Sequence, residues 1–333
     1  MTSDIISLLH EMQSYGLRVN SNKLVHGKIV RCTTKNKPNR KNGFVLVFFN
    51  PTFTYALYGD YQQGGEIIKW SSKHRLSSVE KQQVQEHIAE YHRQRELEIQ
   101  QNLRNIRSRY SKFQLLSLNQ SGTEQSIQIG AEQSAQYCDL QHAYLHKKGI
   151  ADITQHKLAY PIRMYQYGNL AIPMLSVDAE LMGYQTIARD GSKRFAKGSV
   201  VKGSFYPIMT FRVDDIDTCS NIFIGEGFAT MVSCYLSMRE CEQHHTGNTH
   251  AGNAYIVAYG VHMIESVLLA VVKKFLAKNP AINITLVADN DIVEADNHIT
   301  NNLGVDVCNA IKSRYQNKYK ISVFIPQLIG GMA

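Results

Sequence analysis

The sequence has few cysteines and none of the spacings that bind structural zinc. Its six cysteines are scattered over 333 residues, and the two closest, Cys234 and Cys241, are seven positions apart. Structural zinc sites usually contain ligand pairs separated by about two to four residues, so no zinc is expected. The thiols are expected to be reduced and mostly buried, because a free cysteine behaves as a small apolar side chain.

Long apolar runs are missing as well. Stretches such as residues 267–272 are far shorter than the roughly 20 residues that span a bilayer. The N-terminus has no apolar signal region, so we expect a cytoplasmic protein without a membrane partner. No Gly-x-x-x-x-Gly-Lys-Ser/Thr segment occurs in the sequence, which excludes a nucleotide-driven motor built on that loop.

Positive charge is concentrated at one end of the chain. The formal net charge is +8, and residues 1–75 contain eleven Lys and Arg against four Asp and Glu. Such a segment suits a polyphosphate partner, because each phosphate neutralised by Lys or Arg releases condensed counterions. A basic surface that only improves solubility would give the same count. Aromatic residues that look exposed, Tyr58, Tyr61 and Trp70, favour single-stranded nucleic acid as the partner.

The first third of the chain divides by pattern into three segments. Residues 1–76 combine a short helical pattern with β-like runs, as in a small α+β module. Ser77 and Glu80 have the spacing of a capping box, and no Gly or Pro occurs from there to Phe113, which predicts a long helical spacer over about 77–116. Residues 117–135 are rich in Ser, Gln, Gly and Thr, which predicts an exposed linker and a domain boundary.

The last third alternates between apolar strands and helices. Helical segments separate four apolar runs that lack the period-two pattern of half-exposed strands: 222–224, 255–258, 284–287 and 321–324. This alternation predicts an α/β domain whose mostly parallel, Rossmann-like sheet is covered by helices on both faces. Between its strands, the polar residues 241–251, which include His244 and His245, are expected to form a disordered loop.

Acidic residues stand at two strand ends of this predicted sheet, where such sheets bind ligands. Glu226 follows the first run between two glycines, which would let the backbone turn sharply, and Asp289 and Asp291 follow the third. An extended Asp-x-Asp points both carboxylates to one side, as a hard cation requires. If each residue is considered alone, Glu226 is better explained as a helix cap, and the two aspartates as part of a surface turn. Together they would repel each other, which favours a site for Mg²⁺ or Mn²⁺.

These residues resemble the signature of Toprim domains, a Glu after the first strand and an Asp-x-Asp after a later one. The closer likeness is to primases of conjugative plasmids and phage primase-helicases, with Ala143 in place of the usual Pro. The likeness depends on an ordered series of segments: 142–150, 170–174, 183–187, 190–195, 198–203, 224–230 and 287–291. Residues 30–34, 41–43 and Trp70 more faintly resemble the basic leader domain of the same primases.

The resemblance implies a DNA primase that makes short primers from nucleoside triphosphates on single-stranded DNA, in the replication of a mobile element. It implies a basic subdomain over 136–215 and a Toprim catalytic domain over 216–333. Glu226, Asp289 and Asp291 would be catalytic and would bind the metal, with Glu226 as a second-ion ligand or general base. The residues expected to contact phosphates, unless they are only solvated, are Lys147, Lys148, Lys193, Arg194, Lys197, Lys202, Arg31 and Lys41. A separate replicative helicase is an expected partner.

Two further functions are open at this point. A Toprim-type nuclease would use the same carboxylates to hydrolyse a phosphodiester. A chain whose acidic site is inactive would serve as a single-stranded DNA-binding accessory factor. A topoisomerase is disfavoured, because the chain lacks room for the DNA gate that presents a nucleophilic tyrosine.

We predict that residues 1–75 bind single-stranded DNA with little sequence preference and with an affinity that falls steeply as salt rises. The measurement is the salt dependence of binding for the full chain and for a truncated chain that begins at Ser77. The truncated chain should bind more weakly and with a smaller salt slope. Equal affinity and equal slope would remove this role from the segment.

Overall fold

A computed structural model describes residues 2–61, 66–115, 142–245, 252–290, 294–295, 298–299 and 302–326. The chain divides into two compact units, Met1–Gln100 and Gln101–Ala333. The linker predicted over 117–135 lies outside the described residues, so the domain boundary placed there stays a prediction. None of the described helices is long and apolar enough to cross a membrane.

The first unit is an α+β arrangement of one antiparallel sheet and a helix. Its strands lie in sequence order, and its elements are α1 (Thr2–Ser14), β1 (Leu17–Arg18), β2 (Ile29–Thr34), β3 (Gly43–Phe49), β4 (Thr54–Asp60) and β5 (Ile68–Ser71). Successive residues of β3 point to opposite faces of the sheet. Val45 lies in one core cluster with Leu8 of α1, whereas Leu46 lies in another with Val84. Both faces are covered, which explains why β3 is apolar throughout.

The aromatic residues expected to be exposed in this unit differ in their burial. Tyr58 is buried, so the prediction of an exposed ring there is wrong. It pairs with Val45 across β3 and β4 and packs edge-to-face on Tyr15, which places it in the core beneath α1. Trp70 is half-buried, and Tyr61 is 50% exposed.

A long helix, α2 (Ser78–Tyr110), follows the first sheet. The predicted capping box forms at its start: Ser77 N donates to Glu80 Oε2 at 2.9 Å, and Glu80 N donates to Ser77 Oγ at 3.3 Å. Lys73 Nζ lies 2.6 Å from Glu80 Oε1, and this bond, with those from Ser77, lowers the pKa of the Glu80 carboxyl to about 2. The boundary between the two units falls inside α2.

The second unit begins with an antiparallel sheet in the order β10-β9-β8-β7-β6. Its elements are β6 (Gln114–Leu115), α3 (Ala143–Lys147), β7 (Arg163–Tyr165), β8 (Asn169–Leu175), β9 (Leu181–Ile187) and β10 (Lys193–Phe195). The last turns of α2 also belong to this unit, where Leu103 and Ile106 are buried. One edge of the sheet is the short strand β10, which pairs with β9.

A mostly parallel sheet follows, as the alternation of strands and helices predicted. Its elements are β11 (Tyr206–Ile208), β12 (Asn221–Gly225), α4 (Phe228–His245), β13 (Asn253–Val257), α5 (Ile264–Val271), β14 (Asn283–Val287), β15 (Glu294–Ala295), β16 (His298–Ile299), α6 (Leu303–Tyr315) and β17 (Ile321–Phe324). The strand order is β11-β13-β12-β14-β17, with β15 and β16 as a separate hairpin. β11 is antiparallel to β13, so this sheet takes an edge strand from the segment assigned to the preceding subdomain.

Helices cover both faces of this sheet. Val267 of α5 and Ile311 of α6 lie in one core cluster with Ile222, while Met231 of α4 lies in another with Val257. Helix α4 continues to His245, and no Gly or Pro interrupts the sequence between residue 228 and Gly247. The prediction of a disordered loop over 241–251 is therefore wrong for residues 241–245. Free thiols at Cys32, Cys219 and Cys308 are buried, as expected.

We predict that Ser77→Ala lowers the free energy of unfolding of the first unit by about 1 kcal/mol. Glu80 N loses its hydrogen bond to Ser77 Oγ, whereas the bond from the backbone N of residue 77 to Glu80 Oε2 remains. Trp70 is the only tryptophan and lies in the first unit, so its fluorescence during urea denaturation of the full chain reports on this unit. Ser78→Ala, one residue into the helix, is the matched control and should change the midpoint little. Equal losses in the two variants would contradict the role of the cap.

Candidate active site

The parallel sheet reverses its winding direction between β12 and β14. From β12 the chain crosses to β13 on one side and then returns to β14 on the other side of β12. The loops that leave the carboxyl ends of β12 and β14 therefore run to opposite faces, which is where such sheets bind ligands. Gly225 and Val287 pair across these ends, and Glu226 and Asp289 follow them.

Two glycines flank Glu226, and in both cases a side chain would come close to a neighbouring group. A methyl group on Gly225 would lie 2.3 Å from Met231 Sδ of α4, and one on Gly227 would lie 3.1 Å from Asp289 Oδ2. Neither glycine has a positive φ, so the sharp turn suggested by the sequence is not the reason for them. They instead allow α4 and the Asp289 carboxylate to approach the chain on either side of Glu226.

Asp289 is held by packing on its backbone and by the residue that follows it. A methyl group on Gly304 would lie 2.5 Å from Asp289 O, so the first turn of α6 packs directly on that peptide. Asn290 Nδ2 donates to Pro326 O at 3.2 Å, and Asn302 Nδ2 donates to Asn290 Oδ1 at 2.6 Å. Because Asn302 is the N-cap of α6, these bonds connect the segment after β14 to the helix. The sequence reasoning gave Asn290 no role.

The two carboxylates act on the same surroundings. Burial, and then the negative charges of Asp289 and Glu226, raise the pKa of the Cys308 thiol to about 11. On α4, burial and then Asp289 raise the pKa of Cys234. Both acids are therefore close enough to influence one thiol, and the field of Asp289 reaches helices on both faces of the sheet. A cation between the carboxylates would offset their mutual repulsion.

Tyr144 of α3 is a further neighbour of Asp289. Its side chain is 2% exposed, and burial, followed by the charge of Asp289, raises the pKa of its hydroxyl to about 12. Its Cδ2 atom lies 3.4 Å from where a methyl group on Gly191 would be, so α3 contacts the turn at Asp190. The sequence reasoning assigned Tyr144 no role; its position inside the 142–150 segment was the available signal.

The third predicted acid, Asp291, lies outside the described residues. Its partnership with Glu226 and Asp289 therefore stays a prediction. Within the described part of the chain, no group of three or more His, Cys, Asp and Glu side chains could hold a metal ion.

Three of the predicted basic residues lie on or just after the edge strand β10. Lys193, Arg194 and Lys197 are all exposed, and Phe195 between them is exposed as well. The Phe195 ring centroid lies 6.1 Å from that of Tyr259, which follows β13 at the same sheet edge as Glu226. The structure thus places this basic strand beside the acidic end of the parallel sheet.

The other basic residues of the second unit lie on two further elements. Lys147 and Lys148 are exposed at the end of α3. Lys202 is exposed in the loop before β11, where Gly203 N donates to Ser266 Oγ of α5 at 3.1 Å. Their exposure is compatible with phosphate binding and with simple solvation.

The two basic residues predicted in the first unit lie next to each other. Arg31 Nε donates to Lys41 O at 3.3 Å, and the Arg31 guanidinium lies 4.3 Å from the centre of the Tyr61 ring. Arg31 and Lys41 are exposed. This group of two cations and one half-exposed ring fits the chemistry of a nucleic-acid contact.

Comparison with known proteins gives a distant structural likeness. No family model matches the chain. The chain is similar to the primase fragment of the bacteriophage T7 primase-helicase protein, with a TM-score of 0.35 and 12% identity over 56% of this chain and 64% of that fragment. It is also similar to a bacteriophage T7 lagging-strand DNA polymerase structure with primase domains of two gp4 subunits bound to an RNA/DNA hybrid and dTTP, with a TM-score of 0.35 and 11% identity over 54% and 76%.

We predict that Gly227→Ala weakens binding of Mn²⁺ by about tenfold or more while leaving the protein folded. The added methyl group would press on Asp289 Oδ2 at 3.1 Å, so the carboxylate must move, whereas the backbone at residue 227 can accept alanine. Calorimetric titration of Mn²⁺ measures the affinity, and urea denaturation should show a change below about 1 kcal/mol. Gly252→Ala is the control, because a methyl group there meets nothing within 4 Å. An unchanged affinity for Mn²⁺ in Gly227→Ala would indicate that Asp289 is not a metal ligand.

Proposed function

We propose that this chain is a DNA primase with a Toprim-type site formed by Glu226, Asp289 and Asp291. The observation that carries the proposal is the position of Glu226 and Asp289 at the carboxyl ends of two neighbouring parallel strands, at the switch point of the sheet. The ordered series of sequence segments adds the reaction class, template-directed nucleotidyl transfer.

The residues at this site fit a divalent ion such as Mg²⁺ or Mn²⁺. Carboxylate oxygens are the ligands these ions prefer, and Gly227 leaves space beside Asp289 Oδ2 that a side chain would fill. Asp289 and Asp291 would hold the ion, and Glu226 would hold a second ion or accept a proton. When bound, the ion lowers the charge of the reacting phosphate and favours ionisation of the attacking 3′-hydroxyl.

The remaining parts of the proposed mechanism belong to the protein. Asn290 and Asn302 restrict the segment that carries Asp289, so the carboxylate is positioned before substrate arrives. Lys193, Arg194 and Lys197 on the exposed edge strand would bind phosphates of the template or nucleotide. Arg31 and Lys41 in the first unit would also bind phosphates of the template.

The proposed partners follow from the reaction. They are single-stranded DNA, nucleoside triphosphates and a separate replicative helicase, and the proposed setting is the cytoplasmic replication of a mobile element. A Toprim nuclease would use the same three acids, so the products of the reaction must distinguish these two functions.

We predict that Asp289→Asn abolishes primer synthesis but leaves the fold as stable as before or slightly more stable. Altering the hydrogen-bonding partners of a metal ligand typically lowers activity roughly 10- to 100-fold, and removing the ligand itself should lower it further. Removal of one of two repelling charges should at the same time favour the folded state without metal. Incorporation of radiolabelled nucleotides on single-stranded templates and thermal unfolding in a chelator measure the two effects.

Asp178→Asn is the matched control, since Asp178 is an exposed acid that pairs with Lys274 at 3.0 Å, and it should retain synthesis. Glu226→Gln should lose synthesis and retain DNA binding, because the binding is assigned to Lys and Arg. Synthesis at the wild-type rate by Asp289→Asn or Glu226→Gln would overturn the mechanism. Metal-dependent cleavage without synthesis by the wild type would identify a nuclease instead.

A further inference from the structure

Phe195 is an exposed aromatic residue inside a strongly basic segment. Its side chain is 42% exposed at the end of the edge strand β10. Residues 189–202 contain five Lys and Arg and a single acid, Asp190. An exposed aromatic ring with cations on both sides of it in sequence has the composition of a surface on which nucleic-acid bases stack. Anionic polymers with flat, stackable groups have the complementary chemistry.

The ring is held in place from one side. Phe195 pairs with Gln185 of β9, and its ring meets the Tyr259 ring at an interplanar angle of 76°. Tyr259 is itself fixed, because its hydroxyl donates to Pro173 O at 2.5 Å. Tyr259 has a φ of 68°, a strained value for a residue with a side chain. Strain of this kind persists where surrounding contacts require it, and here it places a tyrosine ring behind Phe195.

Phe195 is connected through Tyr259 to the strand end that precedes Glu226. Tyr259 comes directly after Ala258, whose N–H donates to Gly225 O at 2.8 Å. Gly225 is the residue before Glu226. One ring contact, between Phe195 and Tyr259, and one backbone hydrogen bond, from Ala258 to Gly225, therefore connect the exposed ring to the strand end before Glu226. All of these residues lie in the second unit.

The cations around the ring favour a polymer over a single nucleotide. Lys193 and Phe195 pair with Ile187 and Gln185, so they share one face of the sheet, whereas Arg194 points to the other. Cations thus flank the ring from both sides of the edge strand. In a polynucleotide, phosphates precede and follow every base, but a nucleoside triphosphate carries its phosphates on one side only.

We propose that Phe195 stacks on a base of single-stranded template next to the acidic site, with Lys193 and Arg194 on the neighbouring phosphates. The inference deepens the proposed primase function and rests on it. Phe195 acts as a positioning residue: it would hold one template base in a fixed place relative to Glu226 and Asp289.

The test compares Phe195→Leu with Phe195→Tyr in the full-length protein. Binding to a fluorescent oligothymidylate is measured in a chelator, so that no reaction takes place. Phe195→Leu keeps an apolar side chain but removes the aromatic face, and it should bind about tenfold more weakly. Phe195→Tyr should retain the wild-type affinity. Leu269→Ala, which alters an equally exposed (42%) side chain on α5, is the control for exposed apolar area.

An abasic oligomer with the same number of phosphates isolates the stacking contribution. Wild type and Phe195→Leu should bind it equally, since no base is present to stack. In Phe195→Trp, fluorescence beyond that of Trp70 should be quenched by oligothymidylate and not by the abasic oligomer. An unchanged oligothymidylate affinity in Phe195→Leu would overturn the inference, as would a loss of equal size for the abasic oligomer.

Two further outcomes separate this inference from the proposed function. If Phe195→Leu weakens binding of nucleoside triphosphates with Mg²⁺ but not binding of oligothymidylate, the ring belongs to the nucleotide site and the template assignment is overturned. If the wild type synthesises primers while Phe195→Leu binds template normally, stacking fails and the primase proposal stands. If the wild type neither binds template nor synthesises primers, the proposed function is overturned, and the inference about Phe195 with it.

Discussion

The candidate site depends on how closely two helices pack on the ends of two strands. Met231 of α4 occupies the space where a side chain on Gly225 would be. The first turn of α6 lies on the backbone of Asp289 because Gly304 in that turn has no side chain. A larger residue at Gly304 would meet the backbone of Asp289, and one at Gly225 would require the Met231 side chain to move. Glu226 follows β12 and Asp289 follows β14, and these two strands are paired at Gly225 and Val287.

Such an arrangement brings like charges together in a partly buried place, which costs free energy unless something compensates it. Burial and both acids together raise the pKa of Cys308, so their fields overlap within the core beneath α6. The large apolar clusters on both faces of the sheet stabilise the fold independently of these two charges. Functional sites commonly keep such local conflicts, and a bound cation would resolve this one.

Much of the second unit could be predicted from its sequence because its signals are local. Apolar runs without alternation predicted the strands β12, β13, β14 and β17, and the acids just after β12 and β14 indicated the sheet edge of the candidate site. The reason for Gly225 and Gly227 could not be predicted, since it depends on Met231 and Asp289, which the fold brings next to them.

Other features escaped the sequence for the same physical reason. Tyr58 looked exposed in the sequence, but α1 covers that face of the sheet and buries it. Asn290 looked like a spacer between two acids, yet it bonds Pro326 and Asn302, which are distant in sequence. Residue identity predicts local geometry well; it does not predict which distant element will arrive alongside.

The basic strand β10 and the acids belong to different sheets, and backbone hydrogen bonds join these two sheets. Leu175 at the end of β8 and Phe205 next to β11 exchange two backbone hydrogen bonds, of 2.8 and 2.9 Å. On the inner face, Ile172 and Ile187 share a core cluster with Val257 and Val287 at the ends of β13 and β14. The sheet that carries β10 is therefore packed and hydrogen-bonded to the parallel sheet. A ligand held by β10 would meet the acids at a distance fixed by the core, which is the condition for positioning a reacting group accurately.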